Sequence, residues 1–137
     1  MGLNDMDWPN PLWRFYKRHR PPPREQWSKL VKDTSQSEAM AYYCPGFDIE
    51  TWEMECVNGA LLKAKGNGVV NECHEIVRDN PHEHVREFWM NCKQLVGASK
   101  GEETEYLFAQ WEVCGGTNEV HGRPMTKEQL KQRGVRL

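Results

Sequence analysis

The residues able to do chemistry are five cysteines, at 44, 56, 73, 92 and 114, and five histidines. Cys73, His74, His82, His84 and Cys92 fall within twenty residues of one another. Zinc would need deprotonated thiolates and imidazoles arranged as a tetrahedron, and cysteine pairs two to four residues apart usually supply it. No such pair occurs, and His82 and His84, two apart, point to different faces of a helix. A cysteine nucleophile needs a flanking histidine or a helix N-terminus to lower its pKa. Cys44, before Pro45, has neither, and the adjacent Cys73 and His74 project to different sides. No nucleophile elbow, phosphate-binding glycine loop, H-E-x-x-H or carboxylate pair stands out. Glu72, Glu75, Glu83 and Glu87 recur three or four apart, which is the pattern of a solvated acidic face. The sequence therefore predicts a non-enzyme with no metal and no cofactor.

The elements that must position these residues read as helices. Trp27, Leu30 and Val31 mark a short amphipathic one. Ser35 to Glu38 has capping-box form and starts a further short turn carrying Met40 and Tyr43. Asp48 is an N-cap, with Phe47 before it and Trp52 placed as a hydrophobic staple, and Ile49, Trp52, Cys56 and Ala60 follow on one face as far as Gly66. A second central helix spans about Val69 to Asp79. A third opens at Asn80-Pro81-His82-Glu83 and carries Val85, Phe88, Trp89, Cys92, Leu95 and Val96. Ser99-Lys100-Gly101-Glu102 reads as a capping box ahead of a fourth, with Tyr106, Leu107, Trp111 and Cys114, stopped by Gly115-Gly116. Thr126 and Gln129 cap a last short helix, Lys127 to Arg133, with Gly134 behind. No strand run is convincing. The fold expected is all-α: a compact bundle of about four short helices, with an extended N-terminal arm and a short C-terminal helical tail.

In that bundle Cys56, Cys73, Cys92 and Cys114 sit one per central helix, each on the apolar face. Two readings stay open. They are buried thiols packing as small hydrophobes, or they are disulfide staples, useful where a core is thin. A Cys73–Cys114 bridge fits the helix register if those helices touch, whereas Cys56 and Cys92 fit less well and Cys44 is left over. The arrangement is similar in kind to small cysteine-stapled helical proteins of the mitochondrial intermembrane space. It lacks their closely spaced cysteine pairs, since 16, 18 and 21 residues separate the four.

Charge divides the chain. Between Asn10 and Lys32 seven bases face Glu25 alone; between Asp48 and Glu112 thirteen acids face six bases; from His121 onward five bases face Glu128. Residues 1–23 read as an extended arm bracketed by Trp8-Pro9-Asn10-Pro11 and the polyproline spacer Pro21-Pro22-Pro23. Its Trp8, Trp13, Phe15 and Tyr16, interleaved with Arg14, Arg18 and Arg20, have no local core and are candidate anchors on a partner. Residues 24–116 form the helical domain and 117–137 a basic tail.

At 137 residues and 16.0 kDa the chain is one domain. Leu, Ile, Val and Phe make up only 25 residues, so the apolar payload leans on six tryptophans. No run is long enough to span a bilayer. The start is acidic without an apolar h-region, and neither a secretory signal nor a mitochondrial presequence is expected. These features point to a non-catalytic accessory subunit of a large protein assembly, with a respiratory-chain complex on the intermembrane-space side as the best guess. The alternatives are a ribonucleoprotein subunit whose basic arm contacts RNA, and a small Cys/His zinc or redox protein.

Overall fold

The computed structural model describes residues 11–37, 40–64, 73–77, 84–113 and 117–137. The chain folds as mixed α/β rather than as a helical bundle. Among the described residues eight strands form two sheets: β1 (Leu12–Trp13), β2 (Tyr42–Tyr43), β3 (Cys73–Ile76), β4 (Arg86–Asn91), β5 (Gly97–Ser99), β6 (Glu102–Thr104), β7 (Tyr106–Trp111) and β8 (Glu119–Pro124). The α-helices among the described residues are α1 (Trp27–Asp33), α2 (Ile49–Ala64) and α3 (Lys127–Gln132). The large sheet has the order β1-β8-β7-β4-β3, antiparallel except for β1, which runs parallel to β8. A small sheet, β2-β5-β6, abuts it. None of the described helices is long and apolar enough to cross a membrane.

Three of the four central helices expected from spacing are thus corrected. The Val69–Asp79 segment contributes β3, the Val85–Val96 segment β4, and the Tyr106–Trp111 segment β7. The cause is layering. Helix α2 covers one face of the large sheet, and α3 with its flanking residues covers part of the other, so β4 and β7 are buried on both sides. A strand covered on both faces has no polar positions to alternate with, and Phe88-Trp89-Met90 or Leu107-Phe108-Ala109 then matches a helical template as well as a strand. Strand β8 keeps the period of two: Val120 and Gly122 are buried toward α2 and Pro124 is buried beside Gly97, while His121 and Arg123 lie half-exposed on the other face.

Ser99-Lys100-Gly101-Glu102 is a second correction. Ser99 pairs with Glu102 across a two-residue hairpin turn in which Lys100 (φ 53°) and Gly101 (φ 80°) are both left-handed. That turn matches the twist of antiparallel strands, and glycine adopts it without steric cost. Ser99 Oγ caps nothing; it is buried without a hydrogen-bond partner.

Where caps and patterns are strictly local, expectation and structure agree. Asp48 Oδ1 accepts from the Thr51 amide at 3.4 Å, and Phe47 stacks near Trp52 with ring centroids 6.1 Å apart, the staple anticipated at the start of α2. Thr126 and Gln129 exchange both bonds of a capping box at α3, 3.1 and 2.9 Å. α2 packs against all five strands of the large sheet through Glu53, Cys56, Val57 and Ala60. Gly59 permits the closest approach, since a Cβ there would lie 2.6 Å from Cys73 Sγ. The Asn80–Glu83 cap, Gly66, Gly115-Gly116 and Glu38 lie outside the described residues.

Candidate functional site

The cysteines do not form the staples considered above. Cys44, Cys56, Cys73 and Cys92 are all free and buried, and Cys114 lies outside the described residues. Cys56 on α2, Cys73 on β3 and Cys92 after β4 all enter the layer between helix and sheet, where they pack as small apolar groups. Burial pushes the thiols up, Cys73 to about 11, Cys92 to about 12 and Cys56 well above the ordinary value. Thiols held protonated in this way are poor nucleophiles and poor metal ligands. Among the described residues no cluster of His, Cys, Asp and Glu could hold a metal ion. Cys73 and His74 point to opposite faces of β3, and His74 stacks on Trp89 at 4.7 Å.

The same layer holds a polar group that sequence reading passed over. Glu53, 1% exposed, lies on the sheet-facing side of α2. Trp13 Nε1 donates to its Oε1 at 2.7 Å, the Tyr43 hydroxyl donates to Oε2, and the Gly122 amide donates from strand β8. Burial raises the carboxyl to about 7, and the three donors hold it from rising further. Glu53 is sealed, so its role is that of a clasp joining the N-terminal segment, β2 and β8 to α2. A Cβ on Gly122 would come within 2.3 Å of the Phe108 carbonyl and 3.0 Å of Glu53 Oε2, so only glycine fits between them.

Gly122 also forms part of the floor of a cavity on the opposite face. Its volume is about 220 Å³, and it is lined by Tyr16, Arg18, His19, Phe108, Gln110, His121, Gly122 and Arg123. The wall comes from the basic N-terminal segment. After pairing with β8 through Leu12 and Trp13, the chain crosses to the outer face, where Tyr16 stacks flat on His121 with centroids 3.9 Å apart. A single-turn 3-10 helix, Lys17–His19, then places Arg18 over the Tyr16 ring at 5.7 Å. His19 is buried, and its Nδ1 lies 2.7 Å from the Ala41 carbonyl. A carbonyl only accepts, so Nδ1 carries the proton and Nε2 is left as a lone-pair acceptor. On the floor, Arg123 and Arg133 flank the Phe108 ring at 5.6 and 4.7 Å. Beside it Glu87 accepts from Arg133 at 2.8 Å and from Gln110 Nε2 at 3.3 Å.

Both cavity histidines are neutral near pH 7. Burial drives His19 down to about 4, assisted by Arg123, Arg18 and His121, against the opposing pull of the Ala41 carbonyl. Burial also lowers His121, with Arg123 and Arg18 acting in the same sense and Glu112 and Glu119 against it. The cavity therefore presents two guanidinium groups among uncharged rings, and no carboxylate among the described residues that line it.

No family model, curated protein or solved structure is significantly similar to the chain. The site has to be read from its own geometry.

Of the residues expected to anchor a partner, Trp8 lies outside the described residues, and Trp13 and Tyr16 are engaged within the chain. Half-buried Phe15 packs 6.0 Å from Trp13. Arg14 pairs with Glu119 at 3.3 Å and is exposed, as is Arg20. Of the expected set, Tyr16 and Arg18 enter the cavity. His19, Gln110, His121 and Arg123 join them from outside it. The strand alternation of Val120 to Pro124 is the one signal that would have put His121 and Arg123 on a shared face.

Proposed function

We propose that this domain binds a small anionic ligand in the cavity between the Tyr16–His19 segment and the outer face of the large sheet. The observation that carries the reading is the charge of the lining: Arg18 and Arg123 both border a partly enclosed space whose described lining residues include no carboxylate. Guanidinium groups are weakly hydrated and form strong charge-assisted bonds to oxyanions; Arg123 is half-buried at the floor and Arg18 exposed at the rim. At about 220 Å³ the cavity falls below the usual ~300–1,000 Å³ of drug-sized pockets, which favours a ligand of few atoms. Nothing in the lining offers an activated nucleophile, and the reading is binding rather than turnover.

The test is isothermal titration calorimetry with inorganic phosphate at low ionic strength, comparing the native chain with Arg18→Gln, Arg123→Gln and the double variant. Each single change is expected to weaken binding by ~1.5–3 kcal/mol, the range for hydrogen bonds to charged groups. Equal affinity in the native and double-variant proteins would sink the reading.

A further inference from the structure

The uncharged polar atoms of the cavity go further than its charges. His19 has given its one N–H to Ala41, and among the described residues its Nε2 has no hydrogen-bond partner, yet it is not sealed from solvent. His19 is among the residues that line the cavity, and this nitrogen is the acceptor its side chain has left to offer there. Gln110 has turned its amide nitrogen toward Glu87, which is itself tied to Arg133, so its Oε1 is the unused acceptor. Two guanidinium donors therefore stand beside two atoms that can only accept. A fully deprotonated oxyanion satisfies the first pair and leaves the second facing lone pairs. An unmet acceptor in a partly dry site loses affinity.

We propose, building on the anion-site reading, that the cavity selects an oxyanion that carries a hydroxyl hydrogen of its own. In such a complex the anionic oxygens accept from Arg18 and Arg123 while the ligand O–H donates to His19 Nε2 or Gln110 Oε1. Hydrogen phosphate is the smallest ligand of this kind, and a 2-hydroxycarboxylate presents the same combination. Sulfate and simple carboxylates do not. A phosphodiester has no such hydrogen either, so a nucleic-acid backbone is disfavoured at this site.

The groups facing the His19 ring from the packed elements are Arg18, Arg123 and His121. They disfavour a second proton on it, as does its burial. An anion without a hydrogen must bring one in from solvent onto His19, and its affinity rises as pH falls. An anion that carries its own hydrogen escapes most of that dependence.

Two matched pairs test this by calorimetry on the full chain: inorganic phosphate against sulfate, and glycolate against acetate. The expected result at pH 7 is a preference of about tenfold or more for the hydrogen-bearing member of at least one pair. A preference in the first pair alone assigns the ligand to phosphate, and in the second alone to hydroxy acids. Sulfate affinity should climb between pH 7 and about 5, while the affinity of glycolate, whose single charge is constant over that range, changes little; phosphate takes up a second proton there and is compared at pH 7 only. His19→Asn, which keeps a donor for Ala41 and removes Nε2, should bring phosphate and sulfate together. Should that variant fail to fold, the pH series on the native chain decides alone. Equal affinities within both pairs, flat with pH, overturn the selectivity and leave the anion site standing. No binding of any of the four anions overturns the anion site as well.

Discussion

The two faces of the large sheet bury different things by different means. On the α2 face a long helix closes over Phe88, Met90, Leu107, Trp111 and Val120, and its polar member, Glu53, has every donor it can use. On the outer face a two-turn helix and a short tail cover only Ile76, Trp89, Phe108 and their neighbours, and polar side chains finish the layer. The first face is closed and self-satisfied. The second ends in a cavity whose fixed polar atoms keep capacity to spare. Binding sites come from incomplete burial of this sort, because a fully packed layer leaves a ligand nothing to satisfy.

Truncating the closed face should produce the largest effect. Phe88→Ala removes a fully buried ring and is expected to cost ~3–5 kcal/mol of stability in urea unfolding. Where the variant is still folded, its affinity for inorganic phosphate should be unchanged. A loss of affinity larger than the loss of folded protein would mean that the two faces are not independent.

Next in size is a pair of opposed pH dependences. Glu53 sits at about 7 in the folded chain against an ordinary 4.5, so between those values the folded state holds more protons and stability falls as pH rises. His19 sits at about 4 against 6.5, so there the unfolded state holds more protons and stability rises with pH. Each slope integrates to as much as ~3 kcal/mol, and over their shared window, about pH 4.5 to 6.5, they offset one another. Glu53→Gln should therefore expose a rise in stability across that window and His19→Asn a fall, with the native chain flatter than either. Chemical denaturation at a series of pH values reads this directly, and parallel slopes in all three proteins would break the contrast.

The smallest expected effect separates the lid of the outer face from its floor. Thr126→Ala removes the capping-box oxygen of α3 and should cost ~1 kcal/mol. The cavity does not draw its lining from α3, so phosphate affinity should hold while α3 amides exchange faster with solvent.

How much of this could be read from the sequence varies with the range of the interaction. The start of α2 and both ends of α3 were legible, because a cap is a contact between residues three or four apart. The Ser99–Glu102 motif carried the same letters as a cap and became a hairpin turn, because what decides between the two is whether a partner strand is present. Spacing in β4 and β7 misled for a related reason: with apolar neighbours on both sides, the residues that would have revealed a period of two are not polar. The cavity was the least legible part. Its walls come from residues 16–19 and its floor from residues 108–110 and 121–123, more than a hundred positions apart in the chain at the extremes.

The sequence by itself determined the local devices: the caps and staple and the basic character of the N-terminal segment. It also held that the cysteines belong to an apolar layer, as one of the two readings it left open. Only the tertiary structure decided that this layer lies between a helix and a sheet. It likewise decided that Trp13 bonds to Glu53 and Tyr16 stacks on His121, and that two arginines border one hollow. Caps act over three or four residues, so the sequence writes them out directly. Burial on both faces and convergence of charge are set by what packs against a strand, and no local window contains that neighbour.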